Sequence, residues 1–401
     1  MDRPVARART RRLAGSTPAA GFSLMELLVA MAIGLIGSVV IFQVFSVFEG
    51  QKRTTTSAGD AQQNGLLAMA NVERDARLGG YGLSFAPLLG CNVSAYDNTR
   101  GTPAFKFWLV ATQIADGGGG ASDTLTFAYA NTGQLVAPAK LVTNASIGLS
   151  PTVVDSYFGF NVNDLIIAGN AGPNPLPACS MRQLTATPTS APPSPNPGEL
   201  DHIGSRFSDP AGFPVTYPAW DLTTQTGGRI YNLGAAPPSA SAPAVAIYSV
   251  QNGQLFYQNL IQDTAAAPVV DGIVQLKAQY GFDDNGDGVI QATEWRNGCA
   301  APVAPNPPQL PKGAAPGVCA NPTNTDWSRV IAIRFAVLAR SAQPEIPTTG
   351  TGTPCNTTVA TPTWSGGNID PAIPDPASWS CYRYRVFETV VPVRNFIWAP
   401  I

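Results

Sequence analysis

The longest apolar stretch of the chain runs from Phe22 to Phe48 and contains one charged side chain, Glu26. At about 1.5 Å per residue, a helix over this stretch is roughly 40 Å long and exceeds a bilayer core of about 30 Å. The preceding charged residues are Asp2, Arg3, Arg7, Arg9, Arg11 and Arg12. Because a basic segment before a transmembrane helix stays in the cytoplasm, we predict a single-pass membrane anchor with its C-terminal domain on the outer side.

A one-sided apolar pattern follows between residues 50 and 78. Its apolar positions are Ala58, Ala61, Met69, Val72 and Ala76. Their spacing predicts that the helix continues and packs this stripe on the rest of the chain, ending near Gly79-Gly80. Gly59 and Gly65 are weak helix formers, so we expect a locally loose helix there. We expect water or a neighbouring subunit to contact the charged residues Glu73, Arg74, Asp75 and Arg77.

Beyond residue 81 the chain shows short runs of period two, which are typical of β-strands. The predicted strands are 104–111, 123–130, 164–168, 245–250, 255–260, 273–282, 329–339 and 382–393. Asn252-Gly253 predicts a hairpin turn between two of them. Three Pro-rich stretches without period are predicted as long loops. They span residues 172–198, 300–322 and 343–378.

These patterns together predict an α+β protein. A long N-terminal α-helix that can cross a membrane precedes a β-rich globular domain with long Pro- and Gly-rich loops. We expect a basic leader peptide at 1–21, the helix at 22–80, and a periplasmic or extracellular domain at 81–401.

Composition narrows the choice of function. Charged residues make up 12% of the chain and the net charge is -2. No basic block follows the leader, so a strong electrostatic signal for nucleic-acid binding is absent from the sequence. The common catalytic motifs G-x-S-x-G, H-E-x-x-H and Walker A are also absent, and we expect no enzyme activity. His202 is the one histidine, and we expect a solvated loop side chain.

The six cysteines contain no C-x-x-C pair, which argues against a zinc or thioredoxin-like site. An even number of cysteines in an exported domain favours disulfides. We favour Cys299–Cys319 and Cys355–Cys381 as local loop staples, which leaves Cys91–Cys179. Other pairings and free cysteines remain alternatives.

Residues 283–294 match the calcium-loop pattern D-x-[DN]-x-[DN]-G-x5-E in full. The expected Ca²⁺ ligands are the side chains of Asp283, Asn285, Asp287 and Glu294, the carbonyl of Val289, and Gln291 directly or through water. A strand-like run precedes the loop and a Pro-rich stretch follows it, so an EF-hand helix pair is not expected. We predict an isolated structural calcium loop, and the alternative is an acidic turn without metal.

Two features distinguish the apolar helix from an ordinary anchor. A cleaved secretory signal has its small residue after the apolar region, whereas Gly21 lies before it. In addition, an unpaired Glu26 within the apolar run costs at least ~2.5 kcal/mol. Cleavage after Gly21 would free the amine of Phe22, and that amine on a neighbouring copy would be a suitable partner for Glu26. The alternative is a signal-anchor helix with a chance glutamate.

This arrangement resembles that of type IV prepilins. The matching features are the basic leader, Gly21-Phe22, Glu26 and the apolar run behind them. The resemblance implies that a prepilin peptidase cleaves after Gly21 and methylates the amine of Phe22. It also implies that Glu26 pairs with the N-terminus of a neighbouring subunit. The leader is longer than in many prepilins, which leaves open a start codon downstream of Met1.

Over most of its length the chain also resembles the PilW family of type IV pilus minor pilins. The matching stretches are 72–81 (VERDARLGGY), 123–127, 164–167, 280–288 (YGFDDNGDG), 330–338 and 393–395 (VRN). The cysteine that often follows the Gly-Tyr stretch in this family is displaced to Cys91, so a family disulfide pattern cannot be carried over.

The PilW resemblance implies a structural minor pilin that promotes initiation of pilus assembly near the tip. Its implied partners are other minor pilins, the major pilin and a tip adhesin, and the implied roles are twitching motility and adhesion. One alternative is a minor pseudopilin of a type II secretion system. Another is a tip adhesin that binds a surface ligand through Pro-rich loops and through Trp364 and Trp379.

Overall fold

A computed structural model describes most of the chain. The described residues are 21–83, 88–133, 137–142, 151–169, 178–190, 198–207, 228–301, 308–313, 317–345, 355–373, 375–393 and 395. Helix α1 spans Leu24–Leu78, and a short helix α2 spans Asn324–Ser328. Two 3₁₀ turns span Ala292–Glu294 and Trp379–Cys381.

The strands of the described residues follow α1. The first eleven are β1 (Asn92–Tyr96), β2 (Ala104–Trp108), β3 (Thr112–Asp116), β4 (Thr124–Tyr129), β5 (Ala139–Lys140), β6 (Thr152–Val154), β7 (Asp164–Gly169), β8 (Ala178–Gln183), β9 (Thr189–Ser190), β10 (Gly198–Leu200) and β11 (Arg229–Ala235). The next are β12 (Ala244–Gln251), β13 (Gln254–Asn259), β14 (Ala267–Asp271), β15 (Ile273–Phe282), β16 (Trp295–Asn297) and β17 (Cys299–Ala300). The last are β18 (Leu310–Lys312), β19 (Val318–Ala320), β20 (Val330–Arg340), β21 (Thr363–Trp364), β22 (Gly367–Asn368) and β23 (Tyr384–Pro392).

The described strands form three larger sheets. Two are six-stranded, with orders β2-β1-β8-β7-β11-β5 and β14-β13-β12-β4-β3-β17. The third is four-stranded, with order β16-β15-β20-β23. Smaller sheets are β6-β10-β9, β18-β19 and β21-β22. The long helix followed by a strand-rich region confirms the predicted α+β class.

The chain divides into two compact units, Met1–Thr55 and Thr56–Ile401. The second unit contains the C-terminal part of α1 and all described strands. Its main core joins α1 residues such as Val72 to inward side chains such as Phe127 and Phe335, all fully buried. Burial of these apolar side chains is the main favourable term for folding of this unit.

The predicted hairpin turn at Asn252-Gly253 is confirmed. β12 and β13 pair antiparallel up to Gln251 and Gln254, and both turn residues have positive φ, 51° at Asn252 and 75° at Gly253. A two-residue turn of this kind requires positive φ at both positions, and Asn and Gly adopt it at low cost.

One stretch predicted as a loop contains a central strand. β8 lies within residues 172–198 and pairs with both β1 and β7. Cys179 and Met181 alternate along it and are fully buried. The prediction of a continuous loop was wrong here because the prolines around this strand outweighed its short alternating pattern.

Candidate assembly site on the N-terminal helix

The predicted processing site lies immediately before α1. Phe22 is 84% exposed, so its backbone is accessible in the isolated chain. The Ser23 hydroxyl oxygen accepts a hydrogen bond from the backbone N–H of Glu26 at 3.2 Å. Ser23 is therefore the N-cap of the helix, and Glu26 stands in the first turn, where the helix dipole favours a carboxylate. The S-x-x-E pattern formed by Ser23 and Glu26 signals this cap in the sequence.

The apolar part of α1 buries none of its large side chains within the chain. Between Phe22 and Phe48 the large apolar side chains are 50% to 84% exposed. Among the described residues, α1 is the one helix long and apolar enough to cross a membrane. Apolar surface of this extent requires a lipid or protein partner.

The C-terminal part of α1 carries a buried carboxylate. Asp75 is fully buried, and its two oxygens accept hydrogen bonds from the hydroxyls of Tyr248 at 2.7 Å and Tyr129 at 3.3 Å. The Arg74 guanidinium adds a third bond at 3.0 Å. Burial, followed by the charge of Asp75, raises the pKa of both tyrosines, so they remain donors.

The expectation that Asp75 faces water or a neighbouring subunit was wrong. Asp75 lies three residues after Val72 and next to Ala76, and therefore belongs to the buried stripe. The spacing contained this information, but the charge of the residue suggested an exposed position. Arg74 and Arg77 are exposed as expected, with side chains 64% and 58% accessible.

Gly65 allows a close contact between α1 and β23. A Cβ atom at Gly65 would lie 2.0 Å from a ring carbon of Phe387, whereas nothing lies within 4 Å of one at Gly59. The described helix is continuous from Leu24 to Leu78, so neither glycine interrupts it. Gly65 instead provides space for an aromatic ring.

Asn395 closes the C-terminal end of α1. Its side-chain amide donates to the backbone carbonyls of Arg77 and Leu78 at 3.3 Å and of Gly79 at 2.9 Å. The last carbonyls of a helix have no partner within the helix. This contact gives the final residue of the VRN stretch a specific role, which its sequence position alone did not reveal.

The predicted calcium loop forms a tight acidic turn between β15 and β16. The Asp283 carboxylate accepts hydrogen bonds from the backbone N–H groups of Gly286, Asp287 and Gly288 at 2.7, 3.0 and 2.9 Å. Gly286 and Gly288 have φ values of 76° and 75°, which other residues rarely adopt. Asn285 accepts from the N–H of Asp287 at 3.0 Å.

The remaining predicted ligands lie in the second half of the loop. Asp287 accepts from the N–H of Val289 at 2.7 Å, and this bond is the main reason that the pKa of Asp287 is lowered. Glu294 is buried and accepts from the N–H groups of Asp284 at 3.2 Å and Gln291 at 2.7 Å. The loop thus supplies oxygen donors suited to Ca²⁺, and the carboxylate of Glu294 is held at its closing end.

Within the described ranges, no group of three or more His, Cys, Asp or Glu side chains is arranged for a metal ion. The oxygen donors of the loop include an amide and a backbone carbonyl, so this observation concerns only its acidic members. Calcium binding at this loop stays a prediction.

The structure contains three disulfides, and they are the pairs favoured from the sequence. Cys91–Cys179 joins the segment before β1 to β8, Cys299–Cys319 joins β17 to β19, and Cys355–Cys381 links two segments close to β23. None of the six cysteines is free.

His202 is buried, and the expectation of a solvated loop side chain was wrong. It is 1% exposed, and its Nε2 lies 2.9 Å from the Thr152 hydroxyl oxygen. Burial, followed by the charge of Arg182, lowers the pKa of His202 to about 4. The Gly/Asp-rich surroundings suggested exposure because they do not show which strands cover the loop.

Comparison with known families matches the two ends of the chain separately. The prokaryotic N-terminal methylation motif matches residues 17–42, which include Gly21, Phe22, Glu26 and the start of the exposed apolar helix. This motif and the helix define a prepilin-like protein. The family described as Type IV Pilus-assembly protein W, PilW, matches residues 244–395.

The PilW match covers β12 to β23 and ends at Asn395, which caps α1. The chain thus carries a prepilin methylation motif and a C-terminal region that matches PilW, and the resemblance inferred from the sequence is confirmed for residues 17–42 and 244–395. The two matches support a minor pilin-like, structural role in a type IV pilus. No curated protein and no solved structure shows significant similarity to the chain.

Proposed function

We propose that this protein is a minor pilin that promotes initiation of type IV pilus assembly and is located near the filament tip. The observation that carries the proposal is the prepilin motif on an exposed apolar helix, followed by a PilW-family region. The helix serves first as an inner-membrane anchor and then as part of the filament core. The second unit faces the periplasm before assembly and the exterior afterwards.

The N-terminal residues have separate roles in this proposal. Prepilin peptidase cleaves after Gly21, and Phe22 becomes the methylated N-terminus. Glu26 then pairs with the N-terminal amine of a neighbouring subunit and sets the axial register. The exposed position of Phe22 and the place of Glu26 in the first helical turn support this pairing, since a carboxylate within an apolar environment requires a partner.

The proposed partners are other minor pilins, the major pilin and a tip adhesin, and the proposed cellular roles are twitching motility and adhesion. Deletion of the gene tests this proposal against the type II secretion alternative. We expect the deletion strain to lose surface pili and twitching while its type II substrates are still secreted, with complementation by the full chain as the control. Normal piliation with lost secretion would establish the pseudopilin alternative instead.

We also propose that the loop at residues 283–294 binds Ca²⁺ and stabilises the turn between β15 and β16. The full match to the calcium-loop pattern and the hydrogen bonds that hold the Asp283 carboxylate within the loop support this proposal. Exported sites of this type bind with Kd of about 10⁻⁴ to 10⁻³ M. The ligands would be the six residues predicted from the sequence.

Calorimetry on the full chain in detergent tests calcium binding. We expect Ca²⁺ but not Mg²⁺ to bind in this range, since Mg²⁺ demands stricter octahedral geometry. Asp283→Ala should abolish the signal, and Asp271→Ala, an exposed acid on β14, should leave it unchanged. Equal binding by the Asp283→Ala variant would contradict the proposal and leave the loop as an acidic turn.

A further inference from the structure

A partly buried arginine lies between aromatic rings on the outer face of the four-stranded sheet. Its neighbours along β20, Ile333 and Phe335, are fully buried in the main core, so Arg334 points to the opposite face. The Arg334 guanidinium carbon is 4.6 Å from the ring centroid of Trp295 and 5.6 Å from that of Trp364. We call Arg334, Trp295 and Trp364 the Trp–Arg cluster.

Hydrogen bonds orient the guanidinium but leave its terminal nitrogens available. Arg334 Nε donates to Gln279 Oε1 at 2.6 Å, and Gln279 Nε2 donates to Asn297 Oδ1 at 2.7 Å. Within the described part of the chain, neither terminal nitrogen of Arg334 has a hydrogen bond, and no carboxylate forms an ion pair with it. The guanidinium is therefore fixed through one edge, and its other edge makes no hydrogen bond to the residues that the structure describes.

The charge of this arginine is incompletely compensated. Loss of hydration lowers the pKa of Arg334, and the charge of Glu388 opposes this shift. The Glu388 carboxylate is itself bound by the Ser365 N–H at 2.7 Å and the Ser365 hydroxyl at 2.8 Å. A partly desolvated cation without an ion-pair partner favours binding of an anion.

Two glycines leave room for the indole rings. A Cβ atom at Gly281 would lie 3.0 Å from the Trp295 ring, and one at Gly366 would lie 2.2 Å from the Trp364 ring. Each indole thus packs closely on backbone as well as on Arg334. Because the rings are positioned before any ligand arrives, little ordering entropy remains to oppose binding.

We propose that the Trp–Arg cluster binds a carboxylate-bearing saccharide. The terminal nitrogens of Arg334 form a planar fork that matches a carboxylate in two parallel hydrogen bonds. Both indoles are partly exposed beside the fork, and the C–H face of a sugar ring can pack on their accessible apolar surface. The exposed amide of Asn297 lies next to the site and can hydrogen-bond a sugar hydroxyl.

The position of Arg334 within the sheet disfavours an extended peptide as the ligand. β20 pairs with β15 on one side and with β23 on the other, including at Arg334 itself. Peptide recognition by strand addition requires a free sheet edge, and Arg334 lies two strands from one edge and one strand from the other. A ligand on this face can be recognised only through side chains.

Binding of trigalacturonate to the full chain in detergent tests the proposal, with neutral maltotriose and hexaglutamate as comparison probes. We expect trigalacturonate to bind, to bind more weakly as salt increases, and to bind more tightly than both comparison probes. Arg334→Gln should weaken binding by about tenfold or more, since it removes a charge-assisted bidentate contact. Arg334→Lys should also weaken it, since a lysine lacks the planar fork.

The matched control is Arg385→Gln, which removes an exposed arginine from the neighbouring strand β23. It should change the affinity by less than about twofold, since screened surface charges contribute little.

Trp364→Phe tests the indole separately and keeps an aromatic ring. Equal affinity of wild type and Arg334→Gln, or equal binding of maltotriose, would overturn the proposal. Preference for hexaglutamate would assign the site to an acidic peptide. These measurements are independent of filament incorporation, so either proposal can fail without the other.

Discussion

The apolar side chains in the two parts of helix α1 differ in what they can pack against. From Phe22 to Phe48 nearly every position is apolar, and the large side chains are at least half exposed. From Thr56 onward the apolar residues form a stripe, and Ala61, Ala68 and Val72 are buried in the core of the second unit. A helix that is apolar on all sides requires a lipid or protein partner. A helix with a single apolar face can bury that face against the rest of its own chain.

This difference predicts which part of the helix controls assembly and which part controls folding. Changes before Thr56 that remove a proposed contact should alter processing, membrane insertion or filament incorporation while the second unit stays folded. Changes after Thr56 that disturb a buried contact should lower the free energy of unfolding of the second unit. The following substitutions test this division.

The largest expected effect is on assembly. Glu26→Ala removes the proposed partner of the neighbouring N-terminus and should reduce incorporation into sheared pili to near the detection limit, with cleavage after Gly21 unchanged. Immunoblots of membrane and sheared fractions measure both outcomes. Glu49→Ala, an exposed acid just beyond the apolar run, is the matched control and should incorporate normally. Normal incorporation of Glu26→Ala would remove the basis for the pairing.

Acid should destabilise the second unit through His202. The pKa of His202 is about 4 in the folded chain and about 6.5 in the unfolded chain. Between these values the unfolded chain binds more protons, so stability falls as the pH drops from about 7 to 4, by up to about 3 kcal/mol. Urea unfolding across this range should show the slope, and His202→Gln should flatten it. An unchanged slope in the variant would assign the acid sensitivity to other groups.

Gly65→Ala should destabilise the second unit by about 1–3 kcal/mol, because the added Cβ overlaps the Phe387 ring. Gly59→Ala, where the space is open, should leave the stability unchanged or raise it by up to about 1 kcal/mol. Thermal unfolding of both variants in detergent provides the comparison. Adding Phe387→Leu to Gly65→Ala should restore part of the loss. Equal melting temperatures for the two alanine variants would show that the close contact has no energetic importance.

The last comparison concerns the buried carboxylate of Asp75. Tyr248→Phe removes one donor from Asp75 and should cost about 1–3 kcal/mol, because hydrogen bonds to buried charged groups are stronger than average. Arg77→Gln breaks an exposed ion pair with Glu73 and should cost less than about 1 kcal/mol. Chemical unfolding of the two variants measures the difference. A cost for Tyr248→Phe no larger than that for Arg77→Gln would contradict the role of Asp75 as an anchored buried charge.

Local patterns predicted the elements of this fold better than the contacts among them. The apolar run, the period-two strands and Asn252-Gly253 each depend on neighbours in sequence, and they occur as predicted. The burial of Asp75 and His202 depends on residues far along the chain, namely Tyr248 and Thr152. The roles of Gly65 and Asn395 likewise depend on contacts more than 300 residues away.

The candidate sites follow the same rule. Gly21, Phe22 and Glu26 form a linear motif, so their order in the chain was sufficient to predict the processing site. The oxygen donors of residues 283–294 are also contiguous. The Trp–Arg cluster, in contrast, combines β16, β20 and β21, and Trp364 gave only a general suggestion of a contact residue. A contact between two separate sheets places Arg334 beside Trp364, and the sequence did not reveal it.

The mature N-terminus of the protein tests the central claim most directly. Mass spectrometry of the protein from membranes and from sheared filaments should find a chain that begins at N-methylated Phe22 in both fractions. That result would establish cleavage after Gly21 together with entry of the exposed helix into a filament. A chain that retains its leader in both fractions would contradict the pilin account and leave a membrane-anchored periplasmic domain.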